Sequence, residues 1–207
     1  MGVATGKWEL LYVRQTGKVF LPNHFKKLLA VAGKGRFPDR DRLMVLLATR
    51  AGLRACEIAR LTWGMVLDAN GTVARSLDIR SSIAKRGSGR RVPMHPQLVI
   101  ALARWLAKQP PERRAPDAHI VPSLRGGAMR PNSIVNWFVA ICREAGLEGC
   151  SSHSGRRTFI TNAARRAHRA GASLRDVQLL AGHRSIETTQ VYIDGDSDAQ
   201  RRLVASL

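Results

Sequence analysis

Acidic residues are scarce in this 207-residue chain: 15 Asp and Glu stand against 34 Lys and Arg. The resulting net charge of +19 and pI near 11.5 point to a polyanionic partner, most often nucleic acid. Lysine is scarce as well. Only seven of the 34 cations are lysines, leaving 27 arginines, whose planar fork suits phosphate oxygens and stays charged when partly buried. A GC-rich genome writes Arg for Lys, but it does not explain the missing acids. Cysteine is limited to Cys56, Cys142 and Cys150, odd in number and widely separated. Without CxxC or Cys/His spacing they exclude a structural metal site or a disulfide framework, and they read as reduced, mostly buried thiols. No run approaches the ~18 apolar residues of a membrane span, and the opening MGVATGKWEL lacks the apolar core of a secretory leader. The expectation is a cytoplasmic protein with no membrane partner.

Hydrophobic residues make up 44% of the chain, which is ordinary for one well-buried domain. Residues 1–21 show little period and read as an N-terminal arm. Pro22 opens a helical segment, PNHFKKLLAVA, with Phe25, Leu28 and Leu29 on one face. A second helix is expected from about Asp41 to a stop at Gly52, and a short one from about Arg54 to Leu61. The period then changes. Residues 66–93 contain Asn-Gly at 70–71, alternation in SLDIR and a Gly/Ser turn at 87–89, which predicts three antiparallel strands. Helices resume over 95–109, 132–146, about 153–170 and 173–182, the last opened by a Ser173/Asp176 capping box. A final short helix is expected to carry Tyr192. The fold class is α+β, mainly α-helical with a small three-stranded antiparallel sheet.

Four clusters carry chemistry. AGLRACEIARLTW (51–63) places Arg54 at a helix start with Glu57 one turn on. IAKRGSGRRVPM places Lys85 in a hairpin turn. HSGRRTF sets His153 and Arg156 at i and i+3, on one helix face. LLAGHRSIETTQVYID sets His183 nine residues before Tyr192, one of only two tyrosines. Taken singly, each has an ordinary reading: a solvated Arg or Lys, a capping His, a rim Tyr. Together they could build a phosphate-cleaving site. An attacked phosphodiester gathers charge on its non-bridging oxygens, which two arginines clamp well. A tyrosine phenol is both a nucleophile and a tolerable leaving group. Its free pKa near ~10 calls for an imidazole acceptor and a cationic surround. The departing sugar hydroxyl needs a proton, which a hairpin lysine could deliver. Trp63, Phe159, Ile160 and Ala163 are assigned to core packing.

In this order and spacing the four clusters resemble the catalytic domain of the tyrosine recombinase (phage integrase) family, over about residues 40 to 195. The resemblance implies the DNA breaking-rejoining fold and a set of roles. Tyr192 attacks the scissile phosphate, giving a 3′-phosphotyrosyl link and a free 5′-hydroxyl. Arg54 and Arg156 hold the non-bridging oxygens, and Lys85 is the general acid for the 5′-oxygen. His153 is the acid/base partner of Tyr192, His183 donates to the phosphate, and Glu57 braces the arginines from behind. Arg86, Arg90, Arg91 and Arg157 are expected on the DNA backbone. No metal and no other cofactor is implied, since the bond energy is kept in the phosphotyrosine.

The implied partners are double-stranded DNA, a homo-tetramer assembled on a DNA synapse from monomers, and accessory DNA-bending proteins, all at the nucleoid. The domain reading is an arm over 1–21, a catalytic domain over 22–195, and a tail over 196–207 exchanged between protomers. About 40 residues precede the first arginine box, fewer than the helical N-terminal domain of most relatives needs, so the expectation is a minimal recombinase or a catalytic piece. The family's usual His after the second-box arginine is Arg157 here, and a Leu before it is Gly155, expected to soften the helix start by up to about 1 kcal/mol. Type IB topoisomerase-like relaxation and a silent DNA-binding regulator are the rival functions. The complete set of reactive residues argues against the regulator, and the GHxxxxTTxxY arrangement favours recombination over relaxation.

Overall fold

In the computed structural model, which describes residues 18–192 and 204–205, the chain runs α1 (Pro22–Ala32), α2 (Pro38–Arg50), α3 (Ala55–Arg60), β1 (Ser76–Ile79), β2 (Arg90–Pro93), α4 (Pro96–Ala107), α5 (Pro131–Glu144), α6 (Ser152–Ala167), α7 (Leu174–Ala181) and α8 (Glu187–Gln190). Prolines set this frame. Pro22, Pro38, Pro96 and Pro131 each take the first position of a helix, where the absent N–H has no partner to lose and the fixed φ fits the turn. Pro38 therefore starts α2 three residues ahead of the expected Asp41. The Ser173/Asp176 box forms as expected: Ser173 N–H donates to Asp176 Oδ2 at 2.8 Å, and Asp176 N–H to Ser173 Oγ at 3.3 Å.

The apolar run in α2 makes it the central helix. Leu43 through Thr49 are buried without interruption, so no face of this stretch meets solvent. It packs against α1, α4 and α6. Where α2 meets α6, a Cβ on Gly155 would stand 2.9 Å from Ala48 Cβ. Gly155 is thus more than a weakness in the helix start: it lets two backbones approach. Trp63, fully buried, donates its indole N–H to Arg113 O at 2.9 Å and belongs to the core, as expected. A smaller core of Ile160, Val177 and Ala181 joins α6 to α7, with Phe159, Ala163 and Tyr192 packed on it.

The sheet has two strands where three were expected. Leu77 pairs with Val92 and Ile79 with Arg90, antiparallel. The segment before them makes only the single bridge Leu67–Val73. Asp68 explains this. Its Oδ1 accepts the N–H groups of Asn70 and Thr72 and its Oδ2 the Thr72 hydroxyl, closing the Asn-Gly turn before a third strand can pair.

Cys142 and Cys150 are buried and Cys56 half-buried; burial pushes the Cys142 thiol up to about 12. Of the expected arm, residues 1–17 lie outside the described residues, whereas Phe20 is buried and its N–H donates to Thr158 Oγ1 at 2.7 Å. Of the expected tail, only 204–205 are described. Among the described residues no helix is long and apolar enough to cross a membrane.

Candidate active site

The first arginine box turns on Gly52, whose φ of +65° lets the chain leave α2 sharply, with Phe159 lying against the place a Cβ would fill. Two residues later Arg54 caps α3 in an extended conformation. Glu57, three positions on, folds back: its Oε2 accepts the Arg54 N–H at 2.9 Å and its Oε1 the Arg54 Nη1 at 3.0 Å. The Glu57 side chain is 0% exposed, so its charge must be matched from within. A second arginine completes the match. Arg90 donates from Nη1 to Oε1 at 2.9 Å and from Nη2 to Oε2 at 3.0 Å. Burial alone would raise the Glu57 pKa, but the hydrogen bonds and charge of Arg90, then of Arg54, hold it below its ordinary value.

Arg156 enters from α6 beside this pair and is 6% exposed. Among the described residues no carboxylate pairs with it. Its Nη1 donates to Gly52 O at 2.5 Å and its Nη2 to Ala181 O at 2.6 Å. Two backbone carbonyls, one at the end of α7, fix the guanidinium without neutralising it. Burial, then repulsion from Arg54, brings its pKa down to about 9. This is a cation held out of water and short of an anion.

The end of α7 supplies the next group. Gly182, at φ +62°, stops the helix and turns the chain so that His183 follows. His183 is held by three contacts. Its N–H donates to Gln178 O at 3.1 Å, its O accepts from Gln178 Nε2 at 3.0 Å, and its Nδ1 meets Thr189 Oγ1 at 2.9 Å. Burial, then the charges of Arg156, Arg54 and Arg90, lower its pKa to about 4, so the ring is neutral near pH 7. His153, more exposed on α6, is also shifted down, by burial and then by Arg156, Lys85, Arg54 and Arg157. Lys85 opens the turn Lys85–Gly87 between the strands, its carbonyl accepting the Ser88 hydroxyl at 2.9 Å. Arg54, Lys85, Ser88, Gly182, His183, Arg184 and Thr188 line one open cleft of about 250 Å³.

Tyr192 lies just past α8, two residues beyond its end at Gln190, rather than within a helix as expected. Its ring stacks on His183 with centroids 5.7 Å apart. The Arg157 guanidinium stands 5.0 Å from the same ring's centroid. Tyr192 lies near enough to Arg156 that a phenolate there would raise the Arg156 pKa. The structure therefore brings Arg54, Glu57, Lys85, His153, Arg156, His183 and Tyr192 into one region.

The expected backbone-binding arginines divide. Arg91 is 71% exposed and pairs with Asp78 across the strands at 2.8 Å. Arg86 follows Lys85 in the same turn. Arg157 faces the Tyr192 ring. Arg90 has a side chain only 5% exposed, and its fork closes on Glu57. Strand alternation held the signal, because Arg90 shares a face with the buried Val92 while Arg91 takes the opposite one. Thr189 and Gln178, both buried around His183, were also missed. The first lies in the quoted TTQVY, but the polar contact it makes depends on how α8 packs.

The profile of the Phage integrase family matches residues 18–198. The chain is similar to tyrosine recombinase XerD of Pseudomonas putida, at 31% identity over 161 residues that cover 74% of this chain and 49% of that protein. It is also similar to tyrosine recombinase XerC of a Methylobacterium, at 33% over 172 residues, covering 80% and 50%. The chain thus spans about half the length of the curated relatives it matches. Among solved structures, the fold is shared with the Tn1549 transposon integrase in complex with a circular intermediate DNA (TM-score 0.72, 17% identity, 93% of this chain and 66% of that one). It is shared too with the XerH site-specific recombinase bound to difH substrate (TM-score 0.68, 22%, 90% and 53%).

Proposed function

The chain belongs to the phage integrase family, and from that premise we propose that it is a tyrosine-type site-specific DNA recombinase that cuts and rejoins strands through Tyr192. One observation carries the reading. Arg156 is buried, fixed by two carbonyls and left without a carboxylate, beside a cleft that Arg54, Lys85 and His183 line. An oxyanion placed there meets donors already oriented and partly dehydrated, which is where electrostatic stabilisation is strongest.

The steps follow. Tyr192 Oη attacks the phosphorus as its proton passes to neutral His153, and the P–O5′ bond breaks. Lys85 gives a proton to the leaving 5′-oxygen. Charge on the non-bridging oxygens is taken by Arg54, Arg156 and the His183 N–H. Glu57 keeps Arg54 aimed. The 3′-phosphotyrosyl bond retains the energy of the broken one, so a 5′-hydroxyl from another strand can reverse the step with the proton roles exchanged. Arg91 and Arg157, with Arg86, supply the sequence-independent hold on the backbone.

The proposed partner is duplex DNA at the nucleoid, bound by residues 22–195 within a tetrameric synapse helped by DNA-bending proteins. Relaxation of the type IB kind uses the same chemistry without strand exchange. A supercoiled plasmid bearing two copies of a duplex that the chain selects from a randomised pool separates them. Recombination gives a deleted or inverted segment. A ladder of topoisomers alone, or an unchanged plasmid, contradicts the proposal.

A further inference from the structure

Arg90 sits at a junction of three elements. It lies in β2, five residues after Lys85 on the same hairpin. Its two Nη atoms close on the two oxygens of Glu57, the residue that holds Arg54. Its Nε donates to Leu180 O at 2.9 Å, in the last turn of α7. The next carbonyl along, Ala181 O, takes Arg156 Nη2, and His183 follows two residues later. Neighbouring carbonyls at one helix end therefore hold two guanidiniums, which the helix dipole favours.

Gly182 makes the arrangement possible. A Cβ there would lie 3.0 Å from Arg90 Cδ and 3.1 Å from its Nη1. The glycine thus serves a second need besides its positive φ: it leaves the channel through which the Arg90 side chain reaches Glu57.

We propose that Arg90 is a positioning residue that ties the Lys85 hairpin, the Arg54–Glu57 pair and the His183-bearing turn into one frame, and that it does not bind the DNA backbone. The inference rests on the cleavage chemistry proposed above. A planar fork is required, because a lysine ammonium cannot span both carboxylate oxygens and a carbonyl in fixed geometry. Without Arg90 the hairpin keeps its lysine but loses its register to the phosphate, and small misplacements of reacting groups are costly in rate.

The test uses the full chain and a pool of nicked duplexes with randomised sequence around the nick, on which covalent adduct is trapped. Arg90→Gln should slow adduct formation on the order of 100-fold. Its DNA affinity should stay within about 3-fold of wild type, with the same salt dependence, since a lost phosphate contact would lower the salt slope by about 1. Replacing the bridging 5′-oxygen by sulfur, which leaves without a proton, should recover part of the lost rate, as it does not for a variant that is merely less folded. Arg90→Lys keeps the charge and loses the fork, and it gives the same pattern in smaller amplitude if the Gln variant does not fold. Weakened binding with a shallower salt slope, or an equal loss on both leaving groups, overturns the assignment. Wild-type cleavage that Arg90→Gln leaves unchanged overturns it as well. A wild-type chain that forms no adduct on any member of the pool defeats the cleavage chemistry itself.

Discussion

Tyr192 lies on His183, their ring centroids 5.7 Å apart and their planes inclined by 24°. The Tyr192 phenol, the proposed nucleophile, is thus placed by the same imidazole that is proposed to bind the phosphate. His183 in turn is fixed by Gln178 and Thr189, so α7 and α8 together set where the phenol can sit. Donation to the phosphate requires the tautomer in which Nδ1 accepts the Thr189 hydroxyl and the proton sits on Nε2.

The low pKa of His183 makes stability depend on pH. The unfolded side chain titrates near 6.5 and the folded one near 4. Between those values the unfolded chain binds more protons, so stability falls as pH drops from 6.5 to 4. His153 is shifted in the same direction and adds to the slope. Urea midpoints measured across this window should decline with acid, and His183→Asn should flatten the decline while His153 preserves part of it. Identical pH dependence in the two proteins would show that His183 is not held neutral by burial and the arginines.

In the proposed chemistry Lys85 acts on the leaving group alone. Lys85→Ala should lose about 10²- to 10⁴-fold in cleavage of ordinary DNA, as removal of a general acid does. A bridging 5′-phosphorothiolate should restore most of that rate. Equal losses on the two substrates would place Lys85 in binding instead of proton transfer.

The arginine cluster should bind a tetrahedral anion without DNA. Arg54 and Arg90 pair with Glu57, Arg156 is held beside them by two carbonyls, and burial depresses Arg156 to about 9. Sulfate or phosphate should raise Tm by a few degrees over chloride at equal ionic strength, the linkage expected of a ligand that binds only the folded state. Arg54→Ala, which leaves the buried pair Arg90–Glu57 in place, should lose most of the increment. An equal rise in the variant would assign the effect to general salting-out.

Gly155 tests the helix packing behind the site. Alanine is the better helix former by about 1 kcal/mol, yet Gly155→Ala should destabilise the fold by about 1–3 kcal/mol through the contact with Ala48. Ala48→Gly in the same chain should recover part of the loss, because it removes the opposing methyl. Chemical denaturation of the single and double variants reads this directly, and a stabilised Gly155→Ala protein would contradict the close approach.

Much of the site was legible in the sequence because its groups lie in short local patterns. Arg54 with Glu57, His153 with Arg156, and the Gly182-His183 turn each depend on neighbours three residues away or fewer, and helix geometry alone relates them. Pro22 and the Ser173/Asp176 capping box located two helix starts for the same reason. What was not legible depended on distant chain. Arg90 looked like Arg91 until the β1–β2 register turned it inward to a carboxylate 33 positions earlier. The third strand failed because one Asp68 side chain outcompeted strand pairing, a local event that pattern counting does not weigh. Gly155 read as a propensity defect because its role is set by Ala48 on another helix.

Tyr192 Oη is the atom proposed to become joined to DNA. The most direct measurement is to trap the adduct on a nicked suicide duplex, digest it with protease and nuclease, and locate the nucleotide-bearing peptide by mass spectrometry. The predicted result is a 3′-nucleotide on Tyr192, with no adduct from Tyr192→Phe, whose ring keeps the stack on His183. A nucleotide on any other residue, or an adduct that survives in Tyr192→Phe, would contradict it.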